Sequence, residues 1–126
     1  MASGCCSDRN GETLVFACAG ASHAGQVANR VGISLAQEGA GSLFCIAAIG
    51  AGVGDKMERA RAAGTRVVID GCDDHCARKI MDRAGLCVDL HVELTQLGVE
   101  KKPERSQLLN DAKRVVAHVR ERLAGG

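Results

Sequence analysis

Three short apolar runs constrain this chain more than anything else in it: Leu14-Val15-Phe16-Ala17, Leu43-Phe44-Cys45-Ile46 and Val67-Val68-Ile69. None alternates with polar residues, as a strand with one wet face would. Near-continuous apolar character is what parallel strands need when helices cover both faces. Parallel strands also require long crossovers, and helical patterns fill the gaps. Between the first two runs, Ala24, Val27, Ala28, Val31 and Leu35 recur at helical spacing, with Ser22 placed to cap the start and Gly39 just past the end. The second gap holds a glycine-rich loop, Gly50-Ala51-Gly52-Val53-Gly54, and a helical stretch from Asp55 to Ala63 closed by Gly64. After the third run, Asp73 or Asp74 can start a helix carrying Ala77, Ile80, Met81 and Ala84, with Gly85 as its terminator.

Further on, Val88, Leu90, Val92 and Leu94 alternate with Asp89, His91 and Glu93, which predicts a fourth, half-exposed strand at a sheet edge. The last segment is an amphipathic helix. Pro103 suits its first turn, and Leu108, Leu109, Ala112, Val115, Val116, Val119 and Leu123 form its stripe. Together these elements predict an α/β fold: a small open, mostly parallel sheet of about four strands with flanking helices and right-handed crossovers, of Rossmann or flavodoxin-like topology, in a single domain. A chain of 126 residues can bury such a core unaided. The domain is expected over residues 13–126, behind a flexible tail, 1–12, that holds Cys5 and Cys6.

Charge and composition narrow the partners. A net charge of +1 provides no electrostatic footprint for nucleic acid, and two phenylalanines provide no platform for stacking bases. The uncharged run from Ala40 to Gly54 is too short to span a bilayer. The start, MASGCCSDRNGE, lacks the apolar region of a secretory signal and has Ala2 where myristoylation needs glycine. A cytoplasmic protein is expected, with neither membrane nor nucleic acid as partner.

In a reducing cytosol, seven cysteines point to metal or thiol chemistry rather than structural disulfides. Cys18, Cys45 and Cys72 stand 27 residues apart in each interval. One interval is one strand plus one crossover, so each cysteine falls at or near the exit of a successive parallel strand. Strand exits at the carboxyl edge are where such sheets build their sites. Cys76 lies four residues beyond Cys72, one turn into the next helix, and can face the same edge. Cys45 joins the group if the second strand ends early and belongs to the core if it does not. Four converging thiolates would suit tetrahedral zinc, although a zinc ribbon would show two close pairs and only Cys72 and Cys76 form one here.

The stretch Ile69-Asp70-Gly71-Cys72, followed by Cys76-Ala77, resembles the DGC domain, a family named for that tripeptide. Phe16-Ala17-Cys18-Ala19-Gly20, Gly25-Gln26-Val27-Ala28 and Phe44-Cys45-Ile46-Ala47 carry the similarity upstream. His91, Leu94-Thr95 and Leu97-Gly98 carry it downstream, so that it covers roughly residues 13 to 102. The resemblance implies zinc held by four cysteines, which match Cys18, Cys45, Cys72 and Cys76. Asp73 stands where the family often has proline, and with Asp70 and Asp74 it adds negative charge that favours a cation. No known reaction comes with the resemblance. The expectation is therefore a zinc-binding protein of metal handling or sensing rather than an enzyme, with no catalytic residue assigned. His23, Asp70 and His75 are expected to support or substitute for the four cysteine ligands.

Other readings use the same residues. Cys72 and Cys76 could serve as attacking and resolving thiols, although the usual redox pair has two intervening residues rather than three. Cys72 to Arg78 has the Cys-x5-Arg spacing of low-molecular-weight tyrosine phosphatases and arsenate reductases, but Asp73 and Asp74 in the loop would repel an anion. Gly50-Ala51-Gly52-Val53-Gly54 only approximates a dinucleotide fingerprint. His23 opens the first helix beside Cys18, either near the site or on the surface. His75 is expected to point to solvent, His91 to be an exposed edge residue, and Cys87 to pack in the core.

Overall fold

Thr13–Ala17, Ser42–Phe44, Thr65–Asp70 and Leu90–Glu93 form four strands, β1 to β4, in a computed structural model that describes residues 11–102 and 107–125. Cys5, Cys6 and Pro103 lie outside the described residues, and so do most of the expected tail and the expected helix start. The strand order is β2-β1-β3-β4, and every neighbouring pair is parallel. The fourth strand is an edge strand, as its alternating pattern predicts. Among the described residues, five α-helices connect and cover the sheet: α1 (His23–Gln37), α2 (Ile46–Ala51), α3 (Gly54–Ala62), α4 (Cys76–Arg83) and α5 (Leu108–Gly125).

Strand alternation sorts the core into two layers. Val15, Ala17, Val67, Ile69 and Val92 face α1 and α5, where they meet Val27, Val31, Leu35, Val115 and Val119. Leu14, Phe16 and Val68 face the other way, onto Ile49, Ala60, Ala77 and Met81 of α2, α3 and α4. Burying each such side chain contributes about 1.5–3 kcal/mol, which is why the two central strands had to be apolar on both faces. The final helix buries Ala112, Val115, Val116 and Val119 of its predicted stripe, whereas Leu109 is 58% exposed at its first turn.

Local chemistry sets the boundaries. Ser22 caps α1, its Oγ accepting a hydrogen bond from the Gly25 amide at 3.2 Å. The second strand stops at Phe44, and a short helix, α2, runs through Gly50 where the sequence suggests an open loop. Gly52, at φ 73°, closes α2 in the left-handed conformation that glycine adopts without strain. Neither Asp73 nor Asp74 begins α4. That helix starts at Cys76, because Asp70 reaches from the end of β3 to accept the Ala77 amide at 2.8 Å and the Arg78 amide at 3.1 Å.

The chain leaves β1 towards β2 on one side and returns from β2 to β3 on the other. The exits of β1 and β3 are therefore the switch point of the sheet, where open α/β folds place their ligands. Packing there is close. A Cβ at Gly71, just past β3, would lie 2.8 Å from the Ala24 carbonyl carbon and from the Gly25 nitrogen. Those are backbone atoms of α1 and cannot swing aside. Gly71→Ala should lower the urea midpoint by an amount worth about 1–3 kcal/mol, the usual cost of overpacking. Gly54→Ala, where nothing stands within 4 Å, should leave the midpoint nearly unchanged, and equal midpoints for the two variants would contradict this packing.

Candidate metal centre

Cys18 directly follows β1, Cys45 directly follows β2, and Cys72 lies two residues past β3. The even spacing in the sequence thus corresponds to three adjacent strand exits, with Cys18 in the middle. Because β2 ends at Phe44, Cys45 leaves the strand as the residue preceding α2 and is exposed, lining a cleft of about 370 Å³ together with Ala17, Asn29, Leu43 and Phe44 among others. Cys76 is the first residue of α4 and is also exposed, whereas Cys18 and Cys72 are half-buried. All four are free thiols. Cys87, expected in the core, is half-exposed and engaged in a disulfide.

The four sulfurs are not gathered to ligand spacing. Among the described residues, the group of three or more potential ligands whose donor atoms all lie within 4.8 Å of one another is Cys72, Asp73 and Asp74. Strand geometry explains the spread. Neighbouring strands stand about 4.8 Å apart, so the exits of β2 and β3, with β1 between them, are separated by about 10 Å. Cys18 and Cys76 are nonetheless close enough to influence each other. Burial pushes the Cys18 thiol up, the charges of Asp70 and Cys76 add to the rise, and hydrogen bonds to the backbone at Gly20 and Gly71 oppose it. The loop carrying Cys18 is braced by Gln26, whose Nε2 donates to the Gly20 carbonyl at 2.7 Å.

Beside Cys72, charge is concentrated. Its Sγ lies 3.7 Å from Asp74 Oδ2, and the same oxygen pairs with Lys101 Nζ at 3.2 Å. Asp74 is exposed, and hydrogen bonds from Lys101 and Cys72 hold its carboxyl below the ordinary range. The soft thiols fit zinc by donor type, and the local carboxylates favour a cation over an anion.

Behind the thiols runs a chain of imidazoles and carboxylates that the sequence does not announce. Asp70, 1% exposed, accepts from both α4 amides and pairs with His91 Nε2 at 2.8 Å. Burial alone would push its carboxyl up, but the hydrogen bonds from His91, Ala77 and Arg78 outweigh this and lower it. His91 is not an exposed edge residue: its ring packs against that of His75 and pairs with Asp70, and only 17% of its side chain is exposed. His75 does not simply face solvent either, since its Nε2 meets Glu93 Oε1 at 2.7 Å. Glu93 also accepts from the Thr95 hydroxyl, and the Thr95 amide donates to the Gly71 carbonyl at 3.2 Å. The one sequence signal for this network is the i, i+2 pair His91 and Glu93 on a single strand face.

His23 is fully buried rather than on the surface. Its Nε2 meets Asp111 Oδ2 at 2.8 Å, which ties the start of α1 to α5 and directs that nitrogen away from thiol chemistry. Arg78 does not serve an anion loop: its Nε reaches Asp82 at 3.3 Å along α4, and its amide is committed to Asp70.

The Asp70 contacts have a measurable consequence. Asp70→Asn removes the charge that two amides and an imidazole point at, and should cost about 2–3 kcal/mol at neutral pH. Because the folded carboxyl is lowered, its contribution is present above the ordinary carboxylate value of about 4 and disappears as the pH falls through the folded value. Stability curves of the parent and Asp70→Asn should thus converge in acid. A gap that stays constant from neutral pH into acid would contradict the role of the charge.

Comparison with known proteins agrees with the architecture. The DGC domain model matches residues 14–119. The chain is 30% identical over 113 residues to the anaerobic and virulence modulator AnvM of Pseudomonas aeruginosa, covering 90% of this chain and 86% of that one. No solved structure matches. With most of the chain matched, from the first strand into the last helix, the protein belongs to the DGC domain family.

Proposed function

We propose that this protein binds one zinc ion through Cys18, Cys45, Cys72 and Cys76, and that it acts in metal handling or sensing rather than in catalytic turnover. The observation that carries the reading is the alignment of four free thiols with three adjacent strand exits and the first residue of α4. Zinc would supply a tetrahedral cross-link between elements that the sheet alone keeps apart. Drawing Cys45 towards Cys18 requires movement at the start of α2, a helix of 6 residues whose leading residue lacks a side-chain cap. A bound ion would then be felt as a change of shape at an exposed surface, which suits a sensor. A closed set of four thiolates leaves no coordination position for a reacting water, which argues against hydrolysis.

The relative named as a modulator supports a regulatory role over an enzymatic one. Among the described residues, no helix is long and apolar enough to cross a membrane. Cytoplasmic residence remains part of the proposal and rests on the four free thiols; the disulfide at Cys87 is the observation that runs against it.

Replacing both Cys72 and Cys76 with serine in the full chain should abolish stoichiometric zinc, measured by elemental analysis of untagged protein, while far-ultraviolet circular dichroism stays unchanged. Cys45→Ser should weaken zinc by at least tenfold and leave the other thiols titratable by DTNB. Full zinc retained in the Cys72→Ser, Cys76→Ser variant would overturn the assignment.

A further inference from the structure

His75 and His91 stand at the same sheet edge as the thiols, in an arrangement that the thiol chemistry does not use. Their rings are nearly perpendicular, at 86°, with centroids 4.8 Å apart. Each directs Nε2 to a carboxylate of its own: His75 to Glu93 at 2.7 Å and His91 to Asp70 at 2.8 Å. Both carboxylates are buried, Asp70 at 1% and Glu93 at 8% exposure, and each is fixed from another side by α4 amides or by Thr95. A carboxylate only accepts, so in a neutral imidazole Nε2 carries the proton and Nδ1 keeps the lone pair. Among the described residues, neither Nδ1 makes a hydrogen bond. Ligating histidines have this same outer contact, one ring nitrogen donating to a carboxylate while the other faces the metal.

The backbone carries a second sign. His75 sits at φ 54°, ψ 43°, the left-handed conformation, and no other described non-glycine residue has positive φ. A residue with a Cβ adopts that conformation at a cost, and His75 is held in it while its ring meets Glu93 of β4.

We propose that His75 and His91 form a separate, imidazole-based site for a borderline divalent transition-metal ion, bound through the two Nδ1 atoms and adjacent to the thiols. The spacing agrees: with metal–nitrogen bonds of about 2.0–2.1 Å, two imidazoles on one ion have ring centres about 5 Å apart. Imidazole donors select zinc, cobalt, nickel or copper over magnesium or calcium. His75 is 36% exposed, so an ion can reach the pair from solvent and water can complete its coordination. Asp70 and Glu93 then act as positioning residues, fixing the tautomer and the angle of each ring. The site does not depend on the thiol assignment and stands or falls separately.

The test is a cobalt(II) titration of the full-length, untagged chain with Cys18, Cys45, Cys72 and Cys76 all replaced by serine, followed by calorimetry and visible absorption. One cobalt per chain is expected, with d–d bands and no sulfur-to-metal charge transfer. Affinity should fall at least tenfold in His75→Gln and in His91→Gln. Absence of stoichiometric binding, or binding untouched by either histidine substitution, would overturn the proposal. Should the serine variant lose its circular-dichroism signature, proton NMR of the cobalt-loaded parent chain decides. Two paramagnetically shifted imidazole N–H resonances, each lost with its histidine, support the site, and their absence refutes it.

Discussion

The Asp70 carboxylate is the interaction on which the rest of this edge depends. It ends the central strand β3, caps α4 from outside the helix, and holds His91 of the neighbouring strand. Three elements therefore meet at one buried charge: β3 supplies the acceptor, and α4 and β4 supply donors that would otherwise be left without one. The loop between Gly71 and Cys76 is consequently held at both ends. Asp70 secures α4, while the Thr95 amide and Glu93 secure Gly71 and His75. The tripeptide Asp70-Gly71-Cys72 can be understood in these terms: a capping carboxylate, a residue without a side chain where α1 presses close, and a thiol at the strand exit.

Much of this fold could be read from the chain because burial on both faces leaves a plain signature. β1 and β3 lie inside the sheet and are apolar on both faces at Leu14–Ala17 and Val67–Ile69, and their crossovers carry helical stripes that match the core layers. The boundaries were less legible. The start of α4 depends on a carboxylate six residues before its first residue, and a search for a local Asp, Ser or Thr cap selects Asp73 or Asp74 instead. The second strand looked longer than it is because Cys45 and Ile46 are apolar, yet β2 is a three-residue edge strand. The histidines escape a local reading for a common reason. His23, His75 and His91 all find partners 18 or more positions away, across elements, which no local pattern reveals.

The candidate centre was legible as a set of positions but not as a geometry. The interval between cysteines records strand and crossover length, so it places thiols along the edge of the sheet. It does not say how far a side chain must travel to meet its neighbours. That distance is governed by strand spacing, and the outer exits lie too far apart for their thiols to meet without movement. This separation couples any metal shared by these thiols to the position of α2. Such coupling would turn occupancy of a small site into a change of surface.

The most direct test of the central claim is X-ray absorption at the zinc edge of protein purified without an affinity tag. A shell of four sulfurs at about 2.3 Å is the predicted result. A first shell dominated by nitrogen and oxygen, or protein that contains no zinc after growth in zinc-replete medium, would contradict the four-thiolate assignment.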